Sequence, residues 1–133
     1  AGPGLLVIDY LQRMARMQPG QKAQDTRELV TLYTMRLRAV AEELNCSVLA
    51  LSSIGRASYN GKTDWLTAAK ESGDVEYTGD CILALAEDEK GQAALDHKAM
   101  KLHLAKNRLG PASESIDLDW YGRRQQFSKG GWV

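Results

Sequence analysis

What the chain lacks narrows it first. It carries 17 basic and 17 acidic residues and a formal net charge of zero. No global basic field exists, so any contact with nucleic acid has to come from a local patch. No apolar run approaches the length that crosses a bilayer, which excludes a membrane-spanning helix of the usual kind. No signal-peptide pattern is visible, and the expected location is the cytoplasm. The two cysteines, Cys46 and Cys81, lack metal-ligand spacing and sit in apolar segments. They read as buried free thiols in a reducing compartment. His97 and His103 form no ligand pattern, and no internal repeat or low-complexity segment appears. What remains is ordinary: 133 residues, 44% hydrophobic and 26% charged, fit one soluble globular domain. Ala1-Gly2-Pro3-Gly4 reads as a tag or a cut end and stays outside the fold reasoning.

The organising stretch is Leu5-Leu6-Val7-Ile8-Asp9-Tyr10. Its unbroken apolar run predicts a strand buried on both faces, as in a parallel sheet covered by helices. Open α/β sheets bind ligands at the carboxyl ends of their strands. An Asp there suits Mg²⁺ beside a nucleotide phosphate, although Asp is also a favoured turn residue. Residues 12–24, with a Pro19-Gly20 turn signal, read as a flexible polar loop. Asp25 then caps a helix, with Glu28 completing a capping box. Leu29, Tyr33, Leu37, Val40 and Leu44 recur at helical spacing, and Asn45 is the expected left-handed cap. Ser47 to Ser52 predicts a second buried strand, which completes a βαβ unit.

The remaining segments are shorter. Asn60-Gly61 marks an exposed loop, and Asp64 to Lys70 a short helix capped by Thr63. Val75 to Thr78 adds a turn. Cys81 to Ala86 is a third apolar strand. Met100 to Ala105 alternates, with Met100, Leu102 and Leu104 on one side and Lys101 and His103 on the other. Asn107, Gly110 and Pro111 make a turn. Ile116, Leu118 and Trp120 alternate in turn, so these two strands should form an antiparallel hairpin. Arg123 to Val133 reads as a frayed, basic end.

Four segments in this order resemble the RecA-like ATPase domain of the DnaB-type replicative helicases. Leu-Val-Ile-Asp-Tyr-Leu-Gln, 6–12, is similar to that family's Walker B segment. Ala-Leu-Ser-Ser-Ile-Gly-Arg, 50–56, is similar to its third motif. Lys-Glu-Ser-Gly-Asp-Val-Glu, 70–76, followed by Asp80, is similar to its fourth. Ala-Lys-Asn-Arg-Leu-Gly-Pro, 105–111, is similar to the segment that reaches the neighbouring subunit. The resemblance covers residues 5–127 and leaves 128–133 as a tail. It implies an α/β fold: part of a RecA-like P-loop sheet, with parallel strands, flanking helices and a C-terminal antiparallel hairpin.

The resemblance also implies roles. Asp9 would coordinate Mg²⁺ on ATP, with Ser53 at the nucleotide site. Lys106 and Arg108 would act in trans on a neighbour's γ-phosphate, Arg108 as the arginine finger. A planar guanidinium suits the charge that phosphoryl transfer spreads over the transferred oxygens. Lys70, Glu71 and Gly73 would line a channel loop on single-stranded DNA, where Gly allows close approach to a phosphate and Lys supplies charge. The implied whole is an ATP-driven ring hexamer that unwinds duplex DNA in replication, with no membrane partner.

The departures are specific. Ser53 stands where the family usually has a Gln that senses the γ-phosphate, and Ser has a shorter reach. Lys70 stands where Arg is usual and lacks the bidentate fork. No G-x-x-x-x-G-K-S/T loop occurs, and Gly61-Lys62-Thr63 reads as a turn and cap. The family's catalytic Glu is missing as well. The chain therefore looks like the carboxyl-terminal half of such a domain and is expected to be inactive in ATP hydrolysis alone. The alternative is a non-enzymatic RecA-like module that docks on DNA or on a helicase ring. Another RecA-like ATPase, such as a recombinase, comes third.

Overall fold

A computed structural model describes residues 4–16, 26–53, 75–88 and 96–130. The chain divides into two compact units, residues 1–79 and 80–133. In the first, β1 (Gly4–Ile8) runs parallel to β2 (Cys46–Ala50). Two helices, α1 (Leu11–Arg16) and α2 (Thr26–Leu44), lie between them in sequence, and α3 (Val75–Thr78) follows.

The periodicity of α2 is realised from Leu29 to Leu37, whereas Leu44, expected on the same stripe, is 66% exposed. Leu29 and Tyr33 are buried and Leu37 packs against them. Val30, off the expected stripe, is only 1% exposed, as is Leu11 of α1. The stripe is wider than the sequence reading because α1 and α3 also lean on α2: Met14 and Val75 join the same cluster. Asn45 adopts φ 47°, the left-handed cap expected of it. The Asp25 side of the capping box lies outside the described residues.

Three expectations fail here. Residues 11–16 are helical rather than loop, because Leu11 is drawn into the apolar cluster and pulls the chain into a turn. The strands are also covered on one face only. Leu6 and Ile8 are half-buried, whereas Leu5 is 65% and Val7 52% exposed. Leu49 and Leu51 are exposed as well. An apolar run at period one reports that both faces are apolar; it does not report that this chain covers both. The thiol reading is corrected too: Cys46 is half-buried and Cys81 exposed, both unbridged.

The second unit is a four-stranded sheet in the order β3 (Cys81–Glu87), β4 (Lys98–Asn107), β5 (Ser115–Tyr121), β6 (Gln126–Lys129). The expected hairpin is present, in the register Met100↔Leu118 and Leu102↔Ile116. The third apolar strand does not extend the parallel pair. It joins β4 antiparallel instead, with Leu83↔Leu104 and Leu85↔Leu102. Residues 126–129, expected to fray, add a further strand, held by Trp120 and Phe127 with ring centroids 4.5 Å apart.

One face of this sheet gathers Leu83, Leu85, Leu102, Leu104 and Ile116. The other sets buried Ala84 and Ala99 among polar groups: His103 meets the Ser115 hydroxyl at 2.7 Å, and Lys101 lies 3.2 Å from Asp88 and 3.5 Å from Asp117. The hydrogen bond and charge of Asp88, then the charge of Asp117, hold the Lys101 ammonium above its ordinary value. A raised lysine stabilises the fold below its ordinary pKa and stops doing so as pH rises through the raised one, so neutral pH retains the effect.

Two outcomes follow from this packing. Leu11→Ala should cost about 2–5 kcal/mol, read as a lower urea midpoint; a change under about 0.5 kcal/mol would mean that Leu11 is not central. The uncovered apolar faces should make the isolated chain self-associate. A monomer by light scattering that does not bind an apolar dye would contradict this.

Candidate functional site

The main chain at the end of β1 follows an unusual course. Leu51 N–H donates to the Ile8 carbonyl at 2.9 Å, and Leu11 N–H donates to the Leu51 carbonyl at 2.9 Å. One residue beyond β2 thus bonds to both Ile8 and Leu11. Asp9 and Tyr10 are passed over by the ladder and form a two-residue excursion at the carboxyl edge of the parallel pair. Both are exposed, and the peptide between them is cis. The Tyr10 carbonyl accepts from Arg13 and Met14 N–H at 3.0 and 3.2 Å, which starts α1 directly behind the excursion. Burial of Leu11 fixes where this turn ends.

Asp9 therefore stands where the sequence reading puts it, on the edge that binds ligands in open α/β sheets. Among the described residues no group of three or more His, Cys, Asp or Glu gathers as a metal cage. A single exposed carboxylate beside a strand end suits a hard cation that takes its other oxygens from water and phosphate.

Ser53 lies on the same edge, just past β2, and is exposed. Its partner is a residue to which the sequence reading gave no role of its own. The Gln12 carboxamide donates to the Ser52 hydroxyl at 2.8 Å and to the Ser53 carbonyl at 3.2 Å. Its oxygen accepts Ser53 N–H at 3.1 Å. The available signal was Gln12's place three residues after Asp9, at the end of the first motif. Reading 12–24 as a loop concealed it. Lys70, Glu71 and Gly73 lie outside the described residues.

Lys106 and Arg108 belong to the second unit. Lys106 is in β4, opposite Ile82. The register slips just before it: Leu104 and Lys106 face the consecutive residues Leu83 and Ile82, so Ala105 is an extra residue. Such a bulge re-aims the side chains that follow. Arg108 falls one residue past the strand end, in the turn.

The turn is nevertheless well fastened. The Asn107 side chain accepts from Leu109 N–H at 3.1 Å and donates to the Pro111 carbonyl at 3.2 Å. Arg108 N–H donates to the Asp80 carbonyl at 2.9 Å, and its guanidinium meets the Asp80 carboxylate at 3.0 Å. Asp80 was noted in sequence only as following the fourth motif; here it sets the position of Arg108. The pair is substantially exposed, so its net stabilisation is small.

Comparison with known proteins agrees with this fold. The replicative DNA helicase DnaB of Geobacillus stearothermophilus is 30% identical over 114 residues, covering 84% of this chain and 25% of that protein. The Rickettsia typhi DnaB is 32% identical over 148 residues, covering 96% of this chain and 28% of that protein. The chain thus spans about a quarter of the length of the curated relatives it matches. A solved DnaB-like replicative helicase, described with its interactions with primase, superposes with a TM-score of 0.75 at 24% identity. It covers 96% of this chain and 30% of its own, and at that identity speaks for the fold alone. The DnaB-like helicase C terminal domain profile matches residues 1–129, and over that span the chain belongs to the DnaB-like helicase C-terminal domain family.

Proposed function

We propose that the chain forms part of an ATP-driven replicative DNA helicase and supplies one half of each nucleotide site in a ring of RecA-like domains. The observation that carries the reading is the excursion of Asp9 out of the β1–β2 ladder. An exposed carboxylate, held at the ligand-binding edge by main-chain bonds on either side, has the placement a Walker B carboxylate needs. Family membership and the four ordered motifs support it.

In this reading Asp9 holds Mg²⁺ on ATP, directly or through water. Bound Mg²⁺ neutralises phosphate charge. Ser53 marks the end of the second strand beside the same nucleotide. Arg108, with Lys106, serves a nucleotide bound by the adjacent protomer. Its exposure and its fastened turn favour that role: the guanidinium is presented on a fixed loop, and its bond to the Asp80 carboxylate is open to solvent. Lys70, Glu71 and Gly73 are assigned to single-stranded DNA on the resemblance alone. The hexameric ring and the phosphate loop on which hydrolysis depends are likewise family expectations. Such assemblies work in the cytoplasm, and no described helix is long and apolar enough to cross a membrane.

The test uses the full-length protein that carries this chain. Rings made wholly of Arg108→Ala should lose about three orders of magnitude in kcat for ATP hydrolysis. In mixtures with wild type, activity should fall faster than the mutant fraction rises, because each finger serves a neighbour. Activity that is unchanged at every mixing ratio removes the role in trans.

A further inference from the structure

Gln12 makes three hydrogen bonds across the site, and nothing in the proposed chemistry accounts for them. Its carboxamide faces the Ser53 peptide through one donor and one acceptor, at 3.2 and 3.1 Å. It thereby imitates a main-chain rung. The bonds Leu51 to Ile8 and Leu11 to Leu51 run past the strand ends, and the Gln12 side chain continues that series by one further step. The opposed Ser53 carbonyl and N–H fix which way the amide faces, since a flip would set oxygen against the carbonyl; the Ser52 hydroxyl adds a third bond at 2.8 Å. Burial of Leu11, the adjacent residue, fixes the helix from which Gln12 reaches.

We propose that Gln12 is a positioning residue that ties the Ser53 main chain to Asp9 and so couples the nucleotide site to the segment after Ser53. The inference rests on the ATPase reading above. Asp9 and Gln12 lie three residues apart on one short segment anchored between them at Leu11. A displacement of Asp9 as it takes up the charge of a metal nucleotide is delivered to Gln12 through that segment, and then to Ser53 through two opposed hydrogen bonds. Both Gln12 bonds to Ser53 are made to its peptide group. The link therefore runs through the main chain at 53, and Gln12 is the group that holds it. Residues 70–73, to which DNA contact is assigned, follow in the same direction along the chain.

The experiment compares wild type, Q12A and Q12E in the full-length protein by steady-state ATPase, with and without oligo(dT). Q12A removes all three bonds. Q12E keeps the acceptor for Ser53 N–H but loses both donors and sets a carboxylate against the Ser53 carbonyl. In both variants the ratio of DNA-stimulated to unstimulated kcat should fall by about tenfold, the size expected for losing one or two hydrogen bonds. KM for ATP should stay within about twofold, since ground-state nucleotide binding does not pass through Gln12. An unchanged ratio in Q12A overturns the proposal. So does a uniform loss of activity with a lower Tm, which would assign Gln12 to the fold alone. Wild-type protein without ATPase activity would remove the parent reading, and this inference with it.

Discussion

Burial of Leu11 against α2 is the contact on which the first unit turns. It is 1% exposed, among Leu29, Val30 and Tyr33. Removing a leucine side chain from water stabilises by about 1.5–3 kcal/mol. That is more than one solvent-exposed hydrogen bond contributes. Its position in the chain matters more than its magnitude. Leu11 follows the Asp9–Tyr10 excursion and precedes Gln12. One apolar anchor therefore fixes the end of the loop that displays the carboxylate and the start of the helix that holds Ser53.

The second unit displays its candidate functional group by other means. Leu109, beside Arg108, is 94% exposed and gives it no buried neighbour in sequence like Leu11. Its turn is fixed by polar bonds, two from the Asn107 side chain and two with Asp80. Apolar anchoring suits a group that must hold its place relative to a sheet edge. Polar fastening at the surface suits a group that has to exchange one anionic partner for another, because water compensates for the broken bond.

Much of this was legible from residues alone. The 3.6 spacing from Leu29 gave α2, and the alternation from Met100 and from Ile116 gave the β4–β5 hairpin with its faces assigned. Asn45 gave the cap. Four ordered motifs gave the family. The illegible parts have physical reasons. Cys81 to Ala86 reads as an apolar strand whichever way its neighbour runs, since strand direction depends on the partner. The bulge at Ala105 is a register event between two strands, and neither strand records it alone. Gln12 looked like the first residue of a polar loop because its partners lie about forty positions away, as its contacts with Ser52 and Ser53 show.

Sequence by itself determined the elements, their periodicities, the family, and that a carboxylate would follow the first strand. These are local or ordered properties, carried by side-chain chemistry along the chain. Only the tertiary structure decided that the ladder steps over Asp9, that Gln12 grips Ser53, that Asp80 holds Arg108, and that the strands divide into two sheets. Each of these depends on hydrogen bonds between groups distant in the chain. Main-chain donors and acceptors are alike at every residue, so their pairing is settled only when packing brings particular ones together.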